Sequence, residues 1–221
     1  MTARLVVLSG TGTGIGKTHL GEALLLGWNR AGRRAIGLKP IESGVVAGVT
    51  TDAARLAGAS AFHVKPFGVA LRHPVSPHLA ARLEGITVDI AGLCAGIASA
   101  RRDADVVLVE LPGGLFTPLA PDVLGVHLAA RLRPDAVLLV APDRLGVLHD
   151  AIAATRAAAS VPLQIDGVVL VAPLAPDEST GSNAHELAAH LAVPVLASVP
   201  RASPAELAVD SALAALFSRL E

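Results

Sequence analysis

Short runs of five or six residues that are apolar throughout recur along this chain, each separated from the next by a segment with helical patterning. Ala136 to Ala141 (AVLLVA) and Val168 to Ala172 (VVLVA) are examples. A strand covered on one face alternates apolar and polar residues. A run without alternation belongs to a strand buried on both faces, as in the middle of a parallel sheet. Strands are expected at Arg4 to Ser9, Ala35 to Lys39, Asp105 to Leu111, Ala136 to Ala141, Gly167 to Ala172 and Val195 to Val199. Helices are expected at Lys17 to Ala31, Thr51 to Ala57 (capped by Thr50 or Thr51), Ser76 to Gly85 and Val88 to Arg102. Further helices are expected near Pro121 to Leu132, at Val147 to Ala159, near Asn183 to Leu191 and from Pro204 onward. Ser76 reads as an N-cap, with Pro77 in the first turn and Gly85 as the stop. Alternation of strand and helix from end to end favours parallel βαβ units with right-handed crossovers. The expected fold is a three-layer αβα domain with a mostly parallel central sheet, spanning all 221 residues as one unit.

Apolar residues make up 52% of the chain, which raises the question of a membrane protein. A spanning helix needs roughly 20 apolar residues, and the runs here are far shorter. The opening MTARLVVLSG lacks the longer apolar core and cleavage site of a signal peptide. Cys94 is the only cysteine, which rules out an intrachain disulfide or a thiolate metal cluster. A cytoplasmic chain is expected. The net charge of −1, with four Phe, one Trp and no Tyr, leaves neither a basic footprint nor stacking platforms for nucleic acid.

Between the first strand and the first helix lies GTGTGIGKTH. Glycines at 10, 12, 14 and 16 let backbone N–H groups approach an anion, Lys17 brings a mobile positive charge, and Thr18 brings a hydroxyl for Mg²⁺. The helix N-terminus adds its dipole. This is a P-loop variant, because the strict pattern has glycine where Thr11 stands, and the leading glycine is displaced to Gly10. No dinucleotide-binding G-x-G-x-x-G register fits. Partitioning-type ATPases carry a lysine at the position of Gly12, and its absence weighs against them.

Four further residues stand where phosphoryl transfer needs them. Lys39 ends the second strand, Ser43 follows in KPIESG, Asp52 opens a helix, and Glu110 ends DVVLVE. Strand C-termini converge on the ligand crevice of an open α/β sheet, and a carboxylate there is the usual second Mg²⁺ anchor. Each also has a plainer reading. Asp52 could simply favour its helix N-terminus, and Lys39 could be a solvated loop lysine. The eight His residues show no zinc-binding spacing. His149 reads as a packing or capping residue, Cys94 as an inert core residue, and Leu24 to Trp28 as core. No G-x-S-x-G elbow is present.

Together, GTGTGIGKT, KPIESG, TTDAARLAG, PVSPHLAA, VELPGGLFTPL and DRLG resemble, in order, the pattern of dethiobiotin synthetase over nearly the whole chain. The resemblance implies an ATP- and Mg²⁺-dependent ring closure in biotin synthesis. CO₂ adds to an amine of 7,8-diaminononanoate, the carbamate takes the γ-phosphoryl group, and the second amine closes a ureido ring. It implies nucleotide-binding positions at Thr13, Gly14, Ile15, Gly16, Lys17, Thr18, His19, Asp52, Glu110 and Gly113. Val171, Ala172, Val199, Pro200 and Arg201 would continue that site. Thr18, Asp52 and Glu110 would hold the metal. Lys39 and Lys17 would be catalytic, and Thr13, Lys39, Ser43 and Leu148 would meet the substrate. It also implies a homodimer with substrate lying across the interface.

This chain departs from the family in three places. The family's E-G-A-G-G is Glu110-Leu111-Pro112-Gly113-Gly114, and Pro112 has no N–H to offer. The family's Asn-Asp at the base is Val171-Ala172, which leaves no side-chain amide there. The family's Asn before His149 is Leu148, so that a substrate carboxylate would fall to the helix N-terminus. Two other readings stay open: a relative acting on a different amine or carboxylate, and a nucleotide-sensing module without turnover.

Overall fold

The computed structural model describes residues 3–65 and 67–220. Met1, Thr2 and Glu221, at the ends of the expected domain, lie outside the described residues. Along the chain run β1 (Arg4–Gly10), α1 (Lys17–Arg30), β2 (Ala35–Leu38), β3 (Ile41–Ser43), α2 (Asp52–Gly58), β4 (Val69–Leu71) and α3 (Pro77–Glu84). Then come α4 (Ile90–Ala100), β5 (Val106–Glu110), β6 (Pro118–Ala120), β7 (Val123–Leu124), α5 (Gly125–Leu132), β8 (Ala136–Pro142) and α6 (Val147–Ala158). β9 (Gly167–Val171), α7 (Asn183–His190), β10 (Val195–Val199), α8 (Pro204–Leu207) and α9 (Ser211–Leu220) complete the order.

The main sheet has six strands, β10-β9-β8-β1-β5-β2, and every pairing in it is parallel. Successive side chains of β1 face opposite layers. Leu5 and Val7 join a core with Leu93, Ile97, Val126, Val147 and Leu187 from α4 to α7. Val6 and Leu8 join another with Leu24, Trp28, Leu56, Leu207 and Leu216 from α1, α2, α8 and α9. The expected three-layer architecture is therefore present, and the uniform Val/Leu runs have the predicted cause. No described helix is long and apolar enough to cross a membrane.

Several element boundaries differ from expectation. The helix expected from Pro121 starts only at Gly125, because β6 and β7 first form an antiparallel hairpin whose turn holds Asp122 at φ 57. The C-terminal helix is broken into α8 and α9, and Ser203 and Glu206 cap the first piece reciprocally. β3 and β4 form a small parallel pair where a loop was expected. Asp89 caps α4 through Gly92 N–H, so that helix is shorter than Val88 to Arg102. Thr51 caps α2 as expected, accepting from Ala54 N. Ser76 stands at the N-cap of α3 but its hydroxyl meets His78 Nδ1 instead.

Candidate active site

β1 sits at the centre of the sheet between β5 and β8, where the strand order reverses, and its C-terminal end is the topological switch point. The phosphate loop hangs from it. Thr11 N donates to Val140 O at 3.0 Å and Leu115 N to Gly10 O at 2.8 Å, which ties the loop to β8 on one side and to the turn after β5 on the other. Gly14 and Gly16 take φ of 70° and 93°, a region that glycine enters without steric cost. A Cβ on Gly16 would also press on the Val171 side chain, 3.1 Å away.

Lys17 is buried at the head of α1, and its Nζ donates to Gly12 O at 2.6 Å. Burial lowers its pKa to about 8, against the opposing pull of Glu110. In the free protein this ammonium therefore loses its proton as pH rises through about 8. A bound polyphosphate favours the charged form, so nucleotide binding is expected to take up a proton above that pH and to weaken as pH climbs. Calorimetry at pH 8.5 in buffers of different ionisation enthalpy measures the uptake. A heat independent of buffer would show that Lys17 does not change protonation on binding.

Next to Lys17 lies a charged triad. Lys39, just past the end of β2, donates to Asp52 Oδ2 at 2.5 Å and to Glu110 Oε1 at 2.7 Å. Thr18 Oγ1 donates to the same Glu110 oxygen at 3.0 Å. Burial pushes Lys39 down, but the Glu110 and Asp52 carboxylates outweigh it and hold the ammonium above its ordinary value. Burial pushes Asp52 up, and its hydrogen bond and charge pairing with Lys39 bring it below the usual carboxylate range. Burial pushes the Glu110 carboxyl up, only partly offset by the two lysines. Glu110 Oε2 is buried and has no hydrogen-bond partner among the described residues. The plainer reading of Lys39 as a solvated lysine does not describe this geometry, whereas Asp52 does stand in the first turn of α2 and also pairs with Lys39.

Two side groups fix α2, which carries Asp52. Glu42 on β3 accepts from Asp52 N at 2.8 Å and from Ala53 N at 3.2 Å. Arg55 grips Glu22 of α1 through Nε at 3.2 Å and Nη2 at 2.5 Å. Neither contact was visible in the sequence, because both join residues far apart in the chain.

Three cavities surround the loop. On the β9 side, about 680 Å³ is bordered by Gly14, Ile15, Gly16, His19, Val171, Ala172, Pro200 and Arg201. On the β2 side, about 500 Å³ is bordered by Lys39, Glu42, Ser43, Asp52, Pro112 and Gly113. Over α6, about 570 Å³ is bordered by Gly10, Gly12, Phe116, His149 and Asp150. Thr13 borders all three. Two expected site residues stand apart. Val199 is buried in β10 and its carbonyl is taken by Ala172 N at 3.0 Å. Leu148 is half-buried against the core. His149, expected to pack or cap, is exposed at a cavity edge. Cys94 is half-buried rather than fully in the core, and burial pushes its thiol up. Asp143, which was not anticipated, is buried at the end of β8 and binds Asn183 Nδ2 at 2.7 Å and Gly181 N at 2.9 Å, pinning the loop before α7.

The model of a protein family described as an AAA domain matches residues 4–206. A protein of Aromatoleum aromaticum named ATP-dependent dethiobiotin synthetase BioD is 36% identical over 219 residues, covering 92% of this chain and 94% of that protein. One of the same name from Rhodopirellula baltica is 35% identical over 222 residues, covering 91% and 86%. This chain belongs to the dethiobiotin synthetase family. Among solved structures it is similar to a ParA family ATPase from Chlorobium tepidum, with a TM-score of 0.57 and 13% identity, covering 99% of this chain and 96% of that one. At that identity the likeness concerns the fold alone. The residues flanking Pro112 in the loop after β5 are held by hydrogen bonds and a left-handed glycine. Leu111 N prolongs the ladder to Leu8 O at 2.9 Å, Gly113 takes φ 64°, and Gly114 N closes on Thr117 Oγ1 at 2.9 Å.

Proposed function

We propose that this chain closes the ureido ring of dethiobiotin from 7,8-diaminononanoate, CO₂ and ATP, with Mg²⁺, as a cytoplasmic homodimer of single P-loop domains. The observation that carries this reading is the position of Lys39. It lies beside the phosphate loop and borders the cavity that also holds Ser43, so one ammonium faces both reacting anions. An amine nitrogen attacks CO₂ to give a carbamate. The carbamate oxygen takes the γ-phosphoryl group as ADP departs, and the second amine then attacks the carbonyl carbon and expels phosphate. Lys39 offsets repulsion as the carbamate and γ-phosphate approach. Lys17 and the loop amides hold the β- and γ-phosphates, and Ser43 and Thr13 orient the carbamate. Catalysis of this kind is positioning and charge stabilisation, with no covalent work for the protein.

The donor set suits magnesium. Thr18, Asp52 and Glu110 present only oxygen, and Glu110 Oε2 is buried with its valence unmet. The described residues hold no group of three or more His, Cys, Asp or Glu suited to a metal ion. Two carboxylates and a hydroxyl are a set that phosphate oxygens and water complete, as Mg²⁺ prefers. The ion, when bound there, supplies positive charge to the β- and γ-phosphate oxygens.

Homodimerisation is supported by the family resemblance. The test is incubation with the diamine, bicarbonate, Mg²⁺ and each nucleoside triphosphate. Diamine-dependent phosphate release with a ureido product is expected. Release with another acid only, or nucleotide binding without turnover, would remove this reading.

The base preference should be weak. The cavity on the β9 side is bordered by Val171, Ala172, Pro173, Leu174 and Pro200, with Arg144 and Arg201 at its edge, and no carboxylate or side-chain amide. His19 is occupied, donating to Ala202 O at 2.7 Å. Discrimination of bases by factors of 10⁴ or more requires polar groups built to pair with them. The kcat/KM values for ATP, GTP, CTP and UTP are therefore expected to fall within roughly tenfold of one another. A strong preference for ATP would mean that backbone groups read the base.

A further inference from the structure

The cavity of about 500 Å³ on the β2 side is amphiphilic. Lys39, Glu42, Ser43 and Asp52 border it together with Pro74, Val75, Pro77 and Pro112, and the hydroxyls of Thr13, Ser76 and Thr117 are also in its lining. Two carboxylates border it. Asp52 pairs with Lys39 at 2.5 Å and, on the reading above, belongs to the metal's donor set. Glu42 has no cationic partner among the described residues, and its two oxygens accept one backbone amide each, from Asp52 and Ala53. A carboxylate has about four acceptor positions, so Glu42 keeps about half of its capacity free while half-buried at a cavity wall.

The charges of that wall decide what it suits. Lys39 is paired with Asp52 and Glu110, and no other cation borders the cavity among the described residues. An alkyl diamine arrives as ammonium, since such amines titrate near the lysine value of about 10. A cation entering beside Lys39 needs an anion with unused acceptor positions, and Glu42 supplies one. The apolar prolines and Val75 then receive the hydrocarbon chain.

We propose that Glu42 is the counter-ion that receives one amino group of the diamine and makes the site select a diamine over a monoamine. The assignment rests on the dethiobiotin synthetase reading above. It gives Glu42 two roles: its carboxylate oxygens anchor α2 by backbone hydrogen bonds, and their remaining lone pairs face the substrate.

Steady-state kinetics of wild type and Glu42→Gln test it, together with inhibition by a monoamine analogue lacking one amino group. Gln keeps one carbonyl oxygen for Asp52 N but loses the charge. Loss of a charged hydrogen bond is expected to raise the diamine KM roughly tenfold to hundredfold, with a smaller rise in the nucleotide KM because Gln keeps only one of the two backbone contacts that anchor α2. The preference of wild type for diamine over the monoamine is expected to collapse in the variant. A merely structural Glu42 would instead lower the thermal midpoint and raise the nucleotide KM while leaving the diamine KM in place, and that result would overturn the proposal. An active wild type with an unaltered diamine KM in Glu42→Gln overturns the counter-ion role alone. A wild type that binds triphosphate and shows no diamine-dependent turnover overturns this proposal and the ring-closure reading together.

Discussion

Replacing Lys39 by alanine is expected to lower turnover roughly 10²- to 10³-fold, the usual cost of losing one preorganised donor to developing charge. The side chain is only 8% exposed and its ammonium is held by two carboxylates at once, so its position is fixed before substrates arrive. Nucleotide affinity should change much less, because Lys17 and the loop amides remain. The signature is a fall in kcat with a nearly constant nucleotide KM, read in single-turnover phosphate release to separate chemistry from product loss. The variant also leaves buried Glu110 with Thr18 as its one hydrogen-bond partner. A buried carboxyl without its cation favours the protonated form, so folding must be checked by circular dichroism at the assay pH. Lys39→Arg is expected to rescue little, because a planar guanidinium cannot reproduce a point charge shared between Asp52 and Glu110. A Lys39→Ala variant that kept more than half the wild-type rate would remove this lysine from the reaction.

The other large effect concerns the platform of the loop rather than its chemistry. Trp28 lies on the last turn of α1, is fully buried, and meets Phe217 of α9 edge-on at 6.0 Å between ring centres. Trp28→Ala is expected to cost about 3–5 kcal/mol of folding stability, the range for emptying an aromatic site in a packed core. Urea unfolding followed by circular dichroism measures it, since the variant has no tryptophan left to report by fluorescence. Trp28→Phe should cost much less than its lost volume suggests. The indole Nε1 is buried without a partner among the described residues, and an unmet donor is itself destabilising, so the smaller ring removes a penalty along with its contacts. Equal losses in the two variants would mean that Nε1 is satisfied in solution.

The sequence was most legible where one physical cause acts along a continuous stretch. Arg4 to Ser9, Ala136 to Ala141 and Gly167 to Ala172 are central strands because both faces need apolar cover, and their ends fall within a residue of expectation. Lys17, Lys39 and Glu110 were legible because strand C-termini in a parallel sheet share one edge. The hairpin at Pro118–Leu124 was not. Strands of two or three residues carry no period, and Pro121 looks the same before a turn as at the start of a helix. The anchoring of α2 by Glu42 and the grip of Arg55 on Glu22 are products of chain folding over 10 and 33 positions, which no local pattern encodes. Val199 shows the opposite failure. A strand end can aim its last side chain into the core, and this one does, leaving Pro200 and Arg201 to border the cavity.

Thr13, exposed on the loop, is a wall common to all three cavities, and no other residue has that place. On the proposed reading the cavities for triphosphate and for diamine are distinct, with Thr13 bordering both. Binding should accordingly follow no compulsory sequence, with initial-rate lines intersecting whichever reactant is varied and each reactant forming a productive binary complex alone.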